Sequence, residues 1–343
     1  MTTIRDIVKE AGVSLGTVSN YLNDPNSVSE ATREKLARII KELDYHPKAA
    51  ARSLKSKLTR RIGLVPMISS QDNRSTDPGD NAFLELLAGL NTVAAENGFD
   101  VLISAATNPD GELKTYERLV GEGQVDGFVV MGIRERDKRL NLLKSKKIPF
   151  VSYGRSDVFP DYSYVDVDGN LGIVTAIQYL VSLGHTRIAY ITPPAGLMCQ
   201  KQRWEGFVQG MQDHQLDIRE EYMITGDFSE NVGYMLGSRL FELQEPPTAI
   251  LTSNDVCAFG VLRAAQRHNL LPGKDVSVIG FDDIALARHW QPSLTTISQP
   301  FRTIGFSLMQ SLLSMFADET SKPQVLLEPQ LIVRQSTGAP RTT

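Results

Sequence analysis

Apolar and polar positions near the start of the chain alternate with helical spacing. Ile4, Ile7, Val8 and Ala11 fall on one helix face. Gly12 interrupts that face, and Ser14 is placed to cap a second helix whose apolar side is Val18, Tyr21 and Leu22. Two helices joined by a short glycine-containing turn form the pattern of a helix-turn-helix. The other side of the second helix presents Gly16, Thr17, Ser19 and Asn20, small and polar groups that suit a DNA major groove better than a protein core. The same residues also fit an ordinary helical hairpin, so the pattern alone leaves both readings open. A third helix is predicted after Ser29, through Leu36, Ile39, Ile40 and Leu43, stopping before Pro47. Thr3 and Asp6 offer a capping box for the first.

From residue 62 short apolar runs alternate with amphipathic stretches. IGLVPM (62–67), DVLISAA (100–106), DGFVVMG (126–132) and PFVSYG (149–154) read as buried strands, with helices between them, the first over 83–98. The rhythm restarts near 170, with strands at 187–192, 223–227, 249–254 and 276–283, and the tail from Thr295 to Val333 adds a helix and a strand. Such alternation implies parallel sheets covered by helices on both faces. The predicted fold is therefore an all-α head followed by an α/β core of two doubly wound parallel-sheet lobes. The head covers 1–46 and a hinge or linker covers 47–61. The core covers 62–343, with lobes at about 62–160 plus 292–322 and about 161–291 plus 323–340. Two-lobed proteins of this type bind small molecules in the cleft at the carboxyl ends of their strands.

Charge separates the same parts. The net charge of −4 averages a first segment, residues 1–61, with 12 Lys and Arg against 7 Asp and Glu, and a remainder with 24 against 33. A basic head on an acidic body fits a DNA-binding module joined to a ligand-binding or oligomerising domain. The segment from Pro47 to Arg61 has six basic residues and no acid. It reads as a solvated linker or as a short helix that forms on docking to DNA. Cys199 and Cys257 are far apart and lack metal-ligand neighbours, which points to small buried hydrophobes in a reducing cytosol and to no metal or cofactor. No signal-peptide run or membrane-length apolar stretch is present, so a cytoplasmic location without membrane contact is expected.

The order and spacing of several motifs then become specific. IRDIVKEAGVSLGTVSNYLN (4–23), VSEATREKLARIIKELDYHPKAAARSL (28–54), LGHTRIAYI (183–191), RWEGF (203–207), SNDVCAFG (253–260), VIGFDD (278–283) and LTTISQP (294–300) together resemble a LacI/GalR-family transcriptional regulator over the whole length. The resemblance implies a helix-turn-helix head, a hinge helix and a periplasmic-binding-protein-like core that dimerises. It also implies a sequence-specific repressor whose two heads read the halves of a palindromic DNA operator. By that resemblance Leu15, Gly16 and Asn20 face base edges, while Ser14, Thr17, Asn23 and Ser29 hold phosphates. Asn20 stands where many relatives carry arginine, and Gly16 offers no side chain. Leu54, beside Ala51, matches the residue that wedges into a minor-groove step and kinks the duplex.

Arg203 and Asp282 are the leading effector-binding candidates. Asp282 ends the apolar run VSVIGF, and a charged residue at the carboxyl end of a parallel strand faces the ligand crevice. An Arg and an Asp suit the hydroxyls of a sugar, which both donate and accept. Asn254 and Arg155 end strands in the same way, and Phe83, Tyr153, Phe228 and Trp290 are candidate apolar walls. The expected effector is a small saccharide that releases the operator. A purine-like corepressor is the alternative, and a solute-binding protein or a carbohydrate enzyme are more distant ones. No G-x-S-x-G, H-E-x-x-H or P-loop occurs, and GEGQVDG (121–127) follows a helix rather than a strand. His185 reads as a structural residue rather than a base. The tail QSTGAPRTT lacks the leucine heptads that join two dimers, so a homodimer is expected.

Overall fold

The computed structural model describes residues 2–45, 58–68, 80–159 and 161–341. It divides into two compact units, Met1–Arg60 and Arg61–Thr343.

In the first unit α1 (Ile4–Ala11), α2 (Leu15–Asn23) and α3 (Glu30–Glu42) close on one small core. Ile7, Ala11, Val18, Leu36, Ile39 and Tyr45 are buried in it, the predicted stripes brought together. Asp6 accepts from the Thr3 N–H at 2.7 Å and from its hydroxyl at 2.8 Å. Gly12 stops α1 with φ 62°, the left-handed region in which glycine has no Cβ to clash. Ser14 Oγ accepts the Thr17 N–H at 3.0 Å and so starts α2.

The second unit holds two six-stranded sheets. The first has the order β2 (Asp100–Ile103), β1 (Arg61–Leu64), β3 (Gly127–Val130), β4 (Phe150–Tyr153), β5 (Ser163–Val167), β11 (Gln324–Leu327), all parallel. The second has β7 (Met223–Thr225), β6 (Ile188–Thr192), β8 (Ala249–Leu251), β9 (Ser277–Asp282), β10 (Thr295–Ser298), β12 (Gln330–Ile332), with only β12 antiparallel. Continuous burial of β3, β6 and β8 explains their unbroken apolar runs.

Helices cover both faces of each sheet. On lobe 1, α4 (Asp80–Glu96) and α11 (Phe301–Ala317) share one face, and α5 (Pro109–Gly121) and α6 (Lys138–Ser145) lie on the other. Gly89 and Gly305 let α4 and α11 touch backbone to backbone: a Cβ at either would fall 1.9 Å from a carbonyl oxygen of the other helix. On lobe 2, α7 (Gly169–Ser182) pairs with α8 (Met198–Asp213), and α9 (Glu230–Phe241) with α10 (Asp255–Arg267).

Two lobes of this kind were expected, but strand pairing moves their boundaries. The segment 163–167 lies in lobe 1, not lobe 2, because β5 pairs with β4. Residues 295–298 lie in lobe 2, not lobe 1, because β10 pairs with β9. Residues 324–327 return to lobe 1 beside β5. The chain therefore crosses between lobes three times, after β5, after β10 and after β11. His185 ties the end of lobe 2 together, as its structural reading anticipated. Its ring nitrogens lie 2.9 Å from Thr248 Oγ1, 3.0 Å from Ser277 Oγ and 2.8 Å from the Gly338 carbonyl.

Candidate functional sites

The head presents α2 outward. Leu15 is 53% exposed, an apolar side chain in solvent beside exposed Gly16 and Asn20, while Val18 on the opposite face is buried. A helix that buries one apolar residue and exposes another next to an amide has the surface a groove reader needs. Ser14 and Thr17 share a 2.9 Å hydroxyl contact, and Ser29 lies 2.8 Å from Thr32 Oγ1, so these oxygens first of all brace helix starts. The Asn23 side chain, Ala51 and Leu54 lie outside the described residues.

The core places its candidates at the carboxyl ends of both sheets. Arg203, on α8, is 7% exposed. Its guanidinium lies flat on Phe281, 3.5 Å from the ring centroid, and Nη1 donates to the Ser253 carbonyl at 2.8 Å. Its Nε is buried with no hydrogen-bond partner. The stem passes Gly169, where a Cβ would stand 3.0 Å from Arg203 Cγ. Asp282 ends β9 at φ 123°. Its Oδ1 accepts Gln299 Nε2 at 2.6 Å, and Gln299 Oε1 accepts the Tyr153 hydroxyl at 2.7 Å. Tyr153 is thus more than a wall: it joins lobe 1 to the crossover after β10. Burial pushes the Asp282 carboxyl up to about 6, against the opposing pull of Arg203 and Gln299.

Arg155 sits between two carboxylates of the first crossover. Its guanidinium nitrogens are 3.6 Å from Asp166 and 3.7 Å from Asp168, and Nη1 makes no hydrogen bond. Asp166 also accepts the Arg155 N–H at 3.2 Å and its own neighbour's N–H, Val167, at 2.9 Å. Burial raises Asp166 to about 6, with Arg155 opposing. Asp166 and Gln299 were not singled out from sequence. Gln299 lies inside LTTISQP, and Asp166 interrupts an otherwise apolar strand, the one local signal that it faces something polar.

Other candidates have different roles. Asn254 caps α10: Oδ1 accepts the Cys257 N–H at 2.8 Å and Nδ2 donates to the Phe228 carbonyl at 3.2 Å. Each bond uses one of the amide's two hydrogens or two lone pairs, so the cap leaves a donor and an acceptor on Asn254 for a ligand. Trp290 stacks on Phe259 at 4.4 Å within the lobe 2 core and is not a cleft wall. Phe228 is 38% exposed, and Phe83 is half-buried against the lobe 1 core. Asp255 braces strand ends, accepting Thr296 Oγ1 and, at 2.9 Å, the Ile284 N–H. Asp283 pairs with Arg334 at 2.6 Å. Among the described residues no group of His, Cys, Asp or Glu could hold a metal ion, and no helix is long and apolar enough to cross a membrane.

Comparison with known proteins gives this geometry its family. Residues 3–48 match the family described as bacterial regulatory proteins, lacI family, and residues 177–337 match a periplasmic binding protein-like domain. The HTH-type transcriptional repressor PurR of Mannheimia succiniciproducens is 30% identical over 98% of this chain and 98% of its own length. The chain belongs to the LacI family of bacterial regulatory proteins. It is a DNA-binding transcriptional repressor of that family, built as a helix-turn-helix head on a two-lobed core. The lac repressor dimer bound to operator and the anti-inducer ONPF superposes with a TM-score of 0.85 at 26% identity, over 98% of this chain and 99% of that one. A complex of the transcriptional regulator CelR with cellobiose gives 0.73 at 28% identity, over 98% and 100%.

Proposed function

We propose that this repressor reads a near-palindromic operator through two copies of α2 and that a small saccharide in the cleft releases it. The observation that carries the effector half is Asp282 at the carboxyl end of lobe 2, near enough to Arg203 for the guanidinium to pull its carboxyl down, and tied through Gln299 to Tyr153 of lobe 1. A donor-rich guanidinium beside an acceptor-only carboxylate matches vicinal hydroxyls, which need both. A ligand touching both lobes has different affinity for their open and closed arrangements, and that difference is what moves the heads. Leu15, Gly16 and Asn20 are the base-facing residues, with Ser14, Thr17, Asn23 and Ser29 on phosphates. Ala51 and Leu54 belong to the hinge that kinks the duplex.

The repressor acts as a homodimer through α4 and β2. Leu84 there is 57% exposed and Ile103 43%, and with Leu87, Ala88 and Val101 they line an apolar surface groove. An isologous interface would cover it. The test of the effector reading is a thermal-shift screen of the full chain with sugars and nucleobases, followed by titration of labelled operator. A sugar that raises the melting temperature and releases operator is the expected result. A nucleobase that tightens operator binding would replace the saccharide with a corepressor.

A further inference from the structure

The chain of hydrogen bonds from Tyr153 through Gln299 to Asp282 fixes the polarity of the cleft. A carboxylate only accepts, so Gln299 must turn Nε2 toward Asp282, as it does at 2.6 Å. Oε1 then faces Tyr153 and must accept, so the tyrosine hydroxyl is committed as donor at 2.7 Å. Only lone pairs remain to a ligand on Tyr153 Oη, as on the free oxygen of Asp282. Among the donors without a protein partner are Arg203 Nε and Arg155 Nη1, both buried. Charge points the same way. Asp166, Asp168 and Asp282 stand against Arg155 and Arg203, while Asp283 is neutralised by Arg334. Burial pushes Asp166 and Asp282 each up to about 6, with Arg155 and Arg203 pulling the other way.

We infer that this relay makes the repressor select an uncharged, hydroxyl-donating effector and reject phosphorylated or carboxylated forms of the same molecule, with Gln299 and Tyr153 as positioning residues. The inference rests on the cleft reading above and narrows it. A phosphate oxygen brought against Asp282 or Tyr153 would oppose acceptor to acceptor, with no donor within the relay able to turn.

The experiment titrates the full chain by calorimetry with paired probes: glucose and glucose 6-phosphate, ribose and ribose 5-phosphate, galactose and galacturonate, adenine and adenosine monophosphate. The expected result is that in any pair that binds, the neutral member binds at least about tenfold tighter, roughly the worth of one unmade charged hydrogen bond. A charged member that binds tighter overturns the inference and leaves the saccharide reading intact. Binding by adenine alone overturns the saccharide reading, and the adenine pair then judges the inference. Silence across the panel overturns both.

Two variants test the relay itself with the neutral probe that binds. In Gln299→Glu a hydrogen bond to Asp282 survives only while one carboxyl of the pair is protonated, so the loss of binding relative to the parent at the same pH should be small near pH 5.5 and roughly tenfold or more by pH 7.5. A Gln299→Glu profile parallel to the parent would overturn the positioning role. Tyr153→Phe removes the hydroxyl lone pairs offered to a ligand while Asp282 still holds the amide, and should narrow the gap between neutral and charged probes. An unchanged gap would count against the relay.

Discussion

Replacing Asp282 by Asn should give a repressor that is more stable and deaf to its effector. The Asp282 carboxyl is raised from 3.8 to about 6 by burial. The folded state therefore holds the proton more tightly than the unfolded chain does. The sign follows directly: stability contributed by this group is fully present below pH 4 and is lost as pH rises from about 4 to about 6. A shift of this size is worth at most about 3 kcal/mol, at 1.36 kcal/mol per unit. Asn stands in for the protonated acid. It carries no charge at any pH, and its side-chain oxygen can still accept Gln299 Nε2. Discounting for residual solvent and relaxation, the gain at pH 7.5 is about 1–2 kcal/mol, or a few degrees of melting temperature for a core of this size. Calorimetric melts of parent and Asp282→Asn at a series of pH values measure it. The parent curve should descend between about pH 4.5 and 6.5 more steeply than that of the variant. Operator binding should be unchanged and effector release abolished. A variant less stable at pH 7.5, with the same pH slope as the parent, would refute the assignment of a destabilising buried charge.

Asn20→Ala should relax preference at one operator position at a cost of about 1–3 kcal/mol, measured by titration against singly substituted operators. Equal losses on all sequences would move Asn20 to the phosphates. Leu84→Glu with Ile103→Glu should convert the dimer to monomer in sedimentation and abolish operator binding by the intact chain, since charges cannot be buried unpaired across an apolar contact. Burial holds the His185 imidazole below its usual range, so the unfolded chain protonates first and this contribution to stability is lost as pH falls below about 6.5. His185→Asn should flatten the acid side of the melting profile.

The helices of the head and most strands were legible because their apolar spacing survives in the sequence. Two failures are instructive. The strand 163–167 escaped notice because Asp166 breaks the run SYVDV, and a polar residue in a short strand looks like a loop until the cleft it faces is known. The tail from Thr295 to Val333 reads as a helix and one strand, yet it forms three strands, β10 and β12 in one sheet and β11 in the other, since its turn at Glu328 and Pro329 is a crossing between lobes rather than a hairpin. The site divides along similar lines. Asp282 was legible from strand-end chemistry, and Arg203 chiefly through family resemblance. Asn254 carries a second duty that its place at a strand end does not reveal, because the residue after the strand is also the cap of the next helix. Gln299 and Asp166 act through partners in distant segments, Tyr153 with its 146-residue separation among them, and no local pattern encodes that.

The three crossings also set a timetable for synthesis. Lobe 1 begins at Arg61, but Ile304, Leu308, Met309 and Leu312, which seal one face of its sheet, arrive only with α11, and β11 later still. On the ribosome that face must wait, covered only by α4, while β6 to β10 of lobe 2 are made. The head needs nothing beyond its own residues and is finished first. At about 5–20 residues per second the gap is on the order of tens of seconds. Through that interval the DNA-reading helix is complete while neither lobe of the core is closed. Both sheets are finished only by β11 and β12, the last strands among the described residues.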